Sequence, residues 1–330
     1  MDIGKLPNPI LHKYVISQFE HNREEIIIGP QVGRDCSIVD LGDNLCVIST
    51  DPITAASRNA GYIGVHIACN DIATTGAECI GITLTILAAP DSDLDTIQTI
   101  VQDVNRAAKE LSIGVLGGHT EITDAVTRTV LSITAIGKVT ADRLVQPDLA
   151  KTGDSIVMTK KAGMEGTAIL AHDRYEELRQ NISSDLLDEA KGFVENISVI
   201  PEGKIAADLG AHGMHDATEG GVLGALWELS ETMGKGIEIH SDDIPVAFVT
   251  KEICGFYNID PLKLIASGTM LIVTPDANAL VESLEKAGIE SSIIGEIIEG
   301  DEKYIIRDGE RRILEPPESD HLMKAYEKIE

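Results

Sequence analysis

Residues 60–87 read AGYIGVHIACNDIATTGAECIGITLTIL. The first fourteen are largely apolar and are expected to form a helix over Ala60–Ala73 that ends near Gly76. Ile80–Leu87 then alternates, with Ile80, Ile82, Leu84 and Ile86 on one face and Gly81, Thr83 and Thr85 on the other, which is the period of a strand. Inside the helix, Asn70-Asp71 is hemmed in by Ile67, Ala68, Ile72 and Ala73. A buried Asp needs a hydrogen-bond partner or a metal ion, so this pair is the first candidate functional feature.

The alternation continues outward from this stretch. Leu45–Ser49, after Gly42, and Val130–Ile136 read as strands. Between Asp91 and Leu111 the apolar residues Leu94, Ile97, Val101, Val104, Ala108 and Leu111 step by threes and fours, a helical stripe, with Asp91, Ser92 and Asp93 as capping choices. The polar stretch Thr140–Asp154 holds Pro147 and Gly153, and the expected domain boundary falls there, giving domains 1–145 and 146–330. The second half restarts with a strand at Ser155–Thr159. A helix follows from about Gly166, then helices over Ser184–Asn196 and Thr218–Met233, the last stopped by Gly234 and Gly236. Met270–Val273 and Ser291–Ile298 are strands, with a helix capped by Asp276 across Ala277–Ala287 between them. Interleaved strands and helices in both halves predict an α/β or α+β protein.

Composition agrees with two globular domains. The chain has 330 residues, 43% hydrophobic and 25% charged, and no apolar run approaches a membrane span. The first residues lack the basic-then-apolar pattern of a signal peptide, so the cytoplasm is the expected location and no membrane is an expected partner. Net charge is −27, which disfavours nucleic acid as a partner; an anionic ligand needs metal ions, backbone N–H groups or a few placed cations. Aromatic residues are only 3%, against base-stacking or carbohydrate platforms. Cys36, Cys46, Cys69, Cys79 and Cys254 contain no CxxC and read as reduced, mostly buried thiols.

Five groups combine Gly, acid and amide residues near the ends of expected elements: Gly33-Arg34-Asp35, Ser49-Thr50-Asp51, Asn70-Asp71, Gly117-Gly118-His119-Thr120-Glu121 after a strand Ile113–Leu116, and His215-Asp216-Ala217-Thr218-Glu219-Gly220-Gly221. Mg²⁺ takes oxygen ligands, usually one or two carboxylates plus water and phosphate. Gly-rich turns and helix N-termini accept phosphate on backbone N–H groups. Together the groups resemble a Mg-nucleotide kit, yet each has an ordinary alternative. Asp35 is equally a turn residue, Asp51 before Pro52 a turn opener, and Thr218 or Asp216 a helix cap. The chain has no Walker A, GxGxxG, HExxH or GxSxG motif, and Gly163-Met164-Glu165-Gly166-Thr167 lacks the Lys of a P-loop.

Taken in order, GRDCSIVD, STDP, GYIGVHIACNDIATTGAE, GGHTEIT, GDSIVMTKKAGMEGTAILA, MHDATEGGVLGALWELS and SSIIGEI resemble the superfamily of aminoimidazole ribonucleotide (AIR) synthase, selenophosphate synthetase, thiamine-phosphate kinase and the hydrogenase maturation protein HypE. The match spans roughly Gly33 to Ile298. GKLP near the start and GGHTEIT look most like the AIR-synthase-related, HypE-like branch. The resemblance implies a two-domain, PurM-like fold. Its N-terminal domain binds ATP and forms a homodimer through its sheet, and the second domain is AIR-synthase-like. Carried over by motif, Asp35, Asp51 and Asp71 would bind Mg²⁺ or phosphate, with Asn70 in support. Gly33, Arg34, Gly117, Gly118 and Thr120 would line the nucleotide, as would Asp216 and the Gly220-Gly221 turn. Asp71 and His119 are the candidate catalytic residues, His119 as acid or base; a structural turn histidine is the alternative.

The implied chemistry is ATP-dependent phosphorylation of an amide- or acid-type oxygen on a small substrate, which asks for positioning and charge neutralisation rather than a covalent nucleophile. Four departures shape that expectation. Arg34 stands where the family pattern has an acid, and His119 where two branches have Asp. No cysteine follows Cys254, whereas HypE carries a terminal one, so a maturation reaction would borrow a partner protein's cysteine. No cysteine lies in the N-terminal tail either, which disfavours selenophosphate synthesis. A non-catalytic nucleotide sensor or assembly scaffold is the alternative of a different class.

Overall fold

The structure is a computed structural model that describes residues 6, 8–19, 23–54, 59–317 and 319–327. The GKLP stretch, apart from Leu6, lies outside the described residues. The chain divides into two compact units. One comprises His21–Pro30 and Asp35–Leu144; the other gathers Gln31–Arg34 and Val145–Glu330 with Met1–Glu20. The chain therefore passes from one unit to the other between Arg34 and Asp35.

In chain order the elements are α1 (Asn8–Tyr14), β1 (Ile26–Ile28), β2 (Ser37–Asp40), β3 (Leu45–Ile53), α2 (Ala60–Thr74), β4 (Glu78–Ala88), α3 (Leu94–Glu110), β5 (Gly114–Ile122) and β6 (Val130–Val139). There follow β7 (Ser155–Thr159), α4 (Met164–Asp173), α5 (Tyr175–Leu178), α6 (Ser184–Gly192), α7 (Ile200–Asp208), β8 (Gly213–Ala217), α8 (Gly221–Met233), β9 (Gly236–His240) and α9 (Phe248–Tyr257). The last are β10 (Thr269–Thr274), α10 (Ala277–Lys286), β11 (Ser291–Ile298), β12 (Lys303–Arg307), β13 (Glu310–Ile313) and α11 (His321–Glu327). Among the described residues no helix is long and apolar enough to cross a membrane.

The N-terminal unit is a six-stranded sheet in the order β1-β2-β3-β6-β4-β5. β3 and β4 both run antiparallel to β6 between them, and β5 pairs parallel with β4 at the edge. α2 packs on β3, β4 and β6, and α3 packs on α2. Being covered on both sides, α2 is buried almost all round, which explains its lack of an amphipathic stripe. Gly61 and Gly64 let it seat so closely: a Cβ on Gly61 would come 2.5 Å from the Ile100 carbonyl oxygen, and one on Gly64 2.7 Å from Ile53 Cγ1. α3 begins at Asp93, whose carboxylate accepts the Thr96 N–H at 2.7 Å, a cap worth about 1 kcal/mol. The buried face of α3 is Ile100, Val104, Ala107 and Ala108. Leu94 and Val101, part of the expected stripe, are exposed, because only the inner half of that wide apolar arc meets α2.

The C-terminal unit is a seven-stranded sheet, β13-β12-β9-β11-β7-β10-β8, antiparallel except where β12 pairs with β9. Ile156, Met158, Leu226, Leu229, Ile237, Leu271 and Ile294 build the core between the sheet and α8. A second cluster, including Leu170, Leu187, Val249, Ile253 and Leu264, binds α4, α6 and α9 together. The architecture is the mixed α/β, two-sheet arrangement expected from the sequence. Boundaries shift in places. α4 starts at Met164 rather than near Gly166, and α8 at Gly221 rather than Thr218. In the second case the Thr218 carbonyl accepts the N–H groups of Gly221 and Ala266, which closes a turn before the helix begins. Neither Thr218 nor Asp216 caps α8; the capping position is Gly220.

Candidate active site

The acidic residues of the N-terminal unit gather where β3 meets α2. The pleat of β3 sends Ser49 and Asp51 to one face, the face that bears α2. Asp51 was expected where the strand stops, but β3 continues through Pro52 to Ile53, with Asp51 opposite Ile133. Asn70 is wholly buried and Asp71 only 4% exposed. The Ser49 hydroxyl donates to Asp71 Oδ2 at 2.5 Å, with the Asp35 carbonyl oxygen 3.1 Å away. A hydrogen bond to an ionised carboxylate is the strong kind and offsets part of its burial cost. One hydroxyl thereby ties Asp35, Ser49 and Asp71 into a unit, with Asp51 two residues along the same face. Ser49 was visible in the sequence only as part of a strand-end group; its alternation with Asp51 is the signal that could have singled it out.

The donor atoms offered here are all oxygen, the set a hard cation such as Mg²⁺ prefers. Within this unit no three His, Cys, Asp or Glu ligand atoms among the described residues lie within 4.8 Å of one another. A site of one or two carboxylates completed by water and phosphate fits that arrangement, whereas a closed protein cage does not.

The Gly117-Gly118-His119-Thr120-Glu121 group lies elsewhere in the same sheet. Expected as a turn after a strand ending at Leu116, it is instead the body of β5, which runs to Ile122. Gly118 is extended at φ 156°, and a Cβ there would sit 1.8 Å from the Leu84 carbonyl oxygen, so glycine is required for β5 to pair with β4. Register places His119 opposite Thr85, which lies opposite Ser132 on β6. Asp51 is opposite Ile133, so His119 and Asp51 project from opposite faces of the sheet. β6 and β4 intervene between β3 and β5, a separation of about 14 Å at the usual strand spacing. Within one chain, then, His119 is not brought to Asp51 and Asp71. It is 65% exposed at its side chain, with Nε2 3.3 Å from Glu121 Oε2.

In the C-terminal unit Asp216 is 2% exposed on β8, opposite Met270. Its neighbour His215 is also buried and places Nε2 3.4 Å from Glu228 Oε2 on α8. The Gly220-Gly221 turn has left-handed backbone, φ 81° and 65°, and a Cβ on Gly221 would come 2.6 Å from the Leu262 carbonyl oxygen. The turn thus delivers bare backbone to the N-terminus of α8, where the helix dipole favours an anion. Both of its own amides are already taken, Gly220 N–H donating to Asp320 Oδ2 at 2.7 Å and Gly221 N–H to the Thr218 carbonyl at 3.0 Å. Gly33 belongs to this unit, its carbonyl accepting from Thr232 Oγ1 at 2.8 Å. Arg34 forms an ion pair with Asp148 at 2.8 Å.

Two buried acids near this turn escaped the sequence reading. Burial pushes the Glu165 carboxyl up to about 7; the neighbouring Ser267 works against the shift, and the charges of Asp320 and Glu219 add to it. Burial likewise pushes Asp320 up to about 6, opposed by the amides of Leu322, Gly220 and Ile265. Neither stood out because the helix was expected to start after Glu165, and Asp320 precedes α11 with no periodic signal.

Comparison with known proteins identifies the family. The model of the AIR synthase related protein N-terminal domain matches residues 33–139, and that of the C-terminal domain residues 151–308. A Methanocaldococcus jannaschii protein named for hydrogenase expression/formation is 26% identical, covering 98% of this chain and 97% of its own. Carbamoyl dehydratase HypE of Cupriavidus necator is 26% identical over 78% of this chain and 75% of its own. Among solved structures, hydrogenase maturation protein HypE in complex with ATP superposes with a TM-score of 0.69 at 20% identity, covering 96% of each chain. With both of its domain models matched along most of the sequence, the chain belongs to the AIR synthase related protein family.

Proposed function

We propose that this chain is an ATP- and Mg²⁺-dependent enzyme that phosphorylates an amide- or acid-type oxygen of a small substrate, in the manner of a carbamoyl dehydratase. The observation that carries the reading is Asp71, a carboxylate held inside a helix by the Ser49 hydroxyl and preceded by the buried Asn70. Support comes from the relatives named carbamoyl dehydratase and from the HypE structure solved with ATP. In this reading Asp35, Asp51 and Asp71 hold Mg²⁺, with Asn70 beside them. Mg²⁺, when bound, neutralises charge on the transferred phosphoryl group. Gly117, Gly118 and Thr120 of β5, with Gly33, Arg34, Asp216, Gly220 and Gly221, contact nucleotide or substrate.

Transfer of the γ-phosphoryl group to a carboxamide oxygen would turn a poor leaving group into phosphate. Loss of that phosphate together with the amide protons leaves a carbon–nitrogen triple bond, a dehydration driven by ATP. The buried, preorganised carboxylates contribute positioning. His119, on the other face of the sheet, can exchange a proton with this chemistry only across a subunit boundary. We place that boundary along β5, giving a homodimer formed through the N-terminal sheet, and the division between functional domains at residue 145. A maturation partner protein is part of the reading, by analogy with the relatives named for hydrogenase expression and formation.

The test is titration calorimetry of Mg-ATP on wild type and Asp71→Asn, followed by ADP release. Binding lost in the variant, with slow ADP release by wild type, is the expected result. Binding without ADP release in the presence of candidate carboxamides would favour a nucleotide sensor, and absence of any binding would overturn the reading.

A further inference from the structure

Cys69 and Cys79 face each other in the N-terminal unit with their Sγ atoms 3.4 Å apart. Cys69 is on α2 and fully buried; Cys79 is the second residue of β4 and only partly buried. The placement is built by the sheet. Cys79 lies opposite Gly137 of β6, with a register shift between Cys79 and Gly81. A Cβ on Gly137 would come 2.4 Å from Ile72 Cγ2, so glycine there allows α2 to sit directly on the sheet. That close seat is what brings a helix thiol and a strand thiol into contact across the turn at residues 75–77.

We propose that Cys69 and Cys79 form an oxidisable dithiol, a modification site that a small hydroperoxide converts to a disulfide. The partly exposed Cys79 meets the oxidant first. Its thiolate sulfur attacks the distal peroxide oxygen, the O–O bond breaks, an alcohol or water leaves, and Cys79 becomes a sulfenic acid. Cys69 sulfur then attacks Cys79 sulfur, the S–O bond breaks, and hydroxide leaves as water with the Cys69 proton. Overall two thiols and one hydroperoxide give one disulfide, one alcohol and one water, and two electrons pass from sulfur to oxygen. Closing the pair needs about 1.4 Å of sulfur movement, within reach of side-chain rotation. The thiol hydrogen bond from Cys69 draws the Cys79 thiol below its ordinary value despite burial. Cys254, by contrast, is pushed up to about 12 by burial. The cross-link would fasten α2, two residues ahead of Asp71, to β4.

The experiment uses the full chain, reduced and then treated with hydrogen peroxide. The expected result is a fall from five to three thiols titratable under denaturing conditions, with peptide mass spectrometry showing Cys69 joined to Cys79 and two hydrogens lost. Dithiothreitol should restore all five. A count that stays at five, a cross-link between other cysteines, or Cys79 accumulating as sulfinic acid without a cross-link would overturn the proposal. Cys69→Ala gives a second readout: a dimedone-trappable sulfenic acid on Cys79 that wild type does not accumulate. Should that variant fail to fold, the wild-type cross-link decides alone. The outcome is independent of ATP turnover.

Discussion

Glu165 and Asp71 are both acids buried in helices, in different surroundings. Asp71 receives a hydroxyl hydrogen bond at 2.5 Å, whereas Glu165 sits near further acids and is pushed up to about 7. The folded chain therefore keeps the Glu165 proton between the ordinary value of 4.5 and about 7, while the unfolded chain loses it. The unfolded state binds fewer protons in that window, so stability falls as pH rises through it and levels off above. Asp320, raised from 3.8 to about 6, adds the same sign at lower pH. The expected loss from Glu165 is up to about 3 kcal/mol between pH 4.5 and 7.5. Urea unfolding of the C-terminal unit in the full chain should show it, and Glu165→Gln should flatten the slope. An unchanged slope in the variant would mean that other groups carry it. The contrast also marks what the sequence could reveal. Asp71 interrupts an apolar helix and is conspicuous. Glu165 stands beside two glycines, where a turn is the natural reading, and its partners Ser267 and Asp320 are over a hundred residues away.

At the scale of elements, apolar content located α2 and β7, which are buried nearly all round, and alternation located β4; β11 was located closely as well. β5 is not legible from local pattern. Its glycine pair reads as a loop, yet Gly118 is needed so that the backbone can pass Leu84. Whether His119 shares a face with Asp51 depends on strand order, which no local pattern carries. Every residue of β5 is exposed, including Val115, Leu116 and Ile122. An open, apolar edge strand pairs with another chain or causes aggregation unless covered. On the homodimer reading, light scattering should give twice the 35.4 kDa chain mass. Leu116→Lys, which buries a charge at such an interface, should shift the population to monomer while leaving the far-ultraviolet spectrum unchanged. A wild-type monomer, or a dimer indifferent to Leu116→Lys, would move the interface off β5.

The two-unit organisation follows from two sheets, each with its own helices. The sequence repeats the strand–helix alternation on either side of residues 140–154. What it could not announce is that Gln31–Arg34 belong with the later unit, because Gly33 is held by Thr232, about two hundred residues on. The property of the whole molecule that bears most on function is its charge. At −27 the chain's net charge disfavours the approach of a nucleotide triphosphate. A nucleotide enzyme with such a surface depends on its metal to make binding favourable, and screening should help the approach rather than hinder it. Raising monovalent salt from about 50 to 300 mM shortens the Debye length from roughly 14 to 6 Å. The association rate of Mg-ATP, followed by stopped flow, should therefore rise severalfold, the reverse of a site steered by surface cations. With EDTA in place of Mg²⁺, binding should weaken by on the order of a hundredfold or more, since four phosphate charges then meet carboxylates unscreened. Salt that slows association, or ATP that binds equally well without Mg²⁺, would shift the anion-binding role from metal-bound carboxylates to local cations such as Arg34.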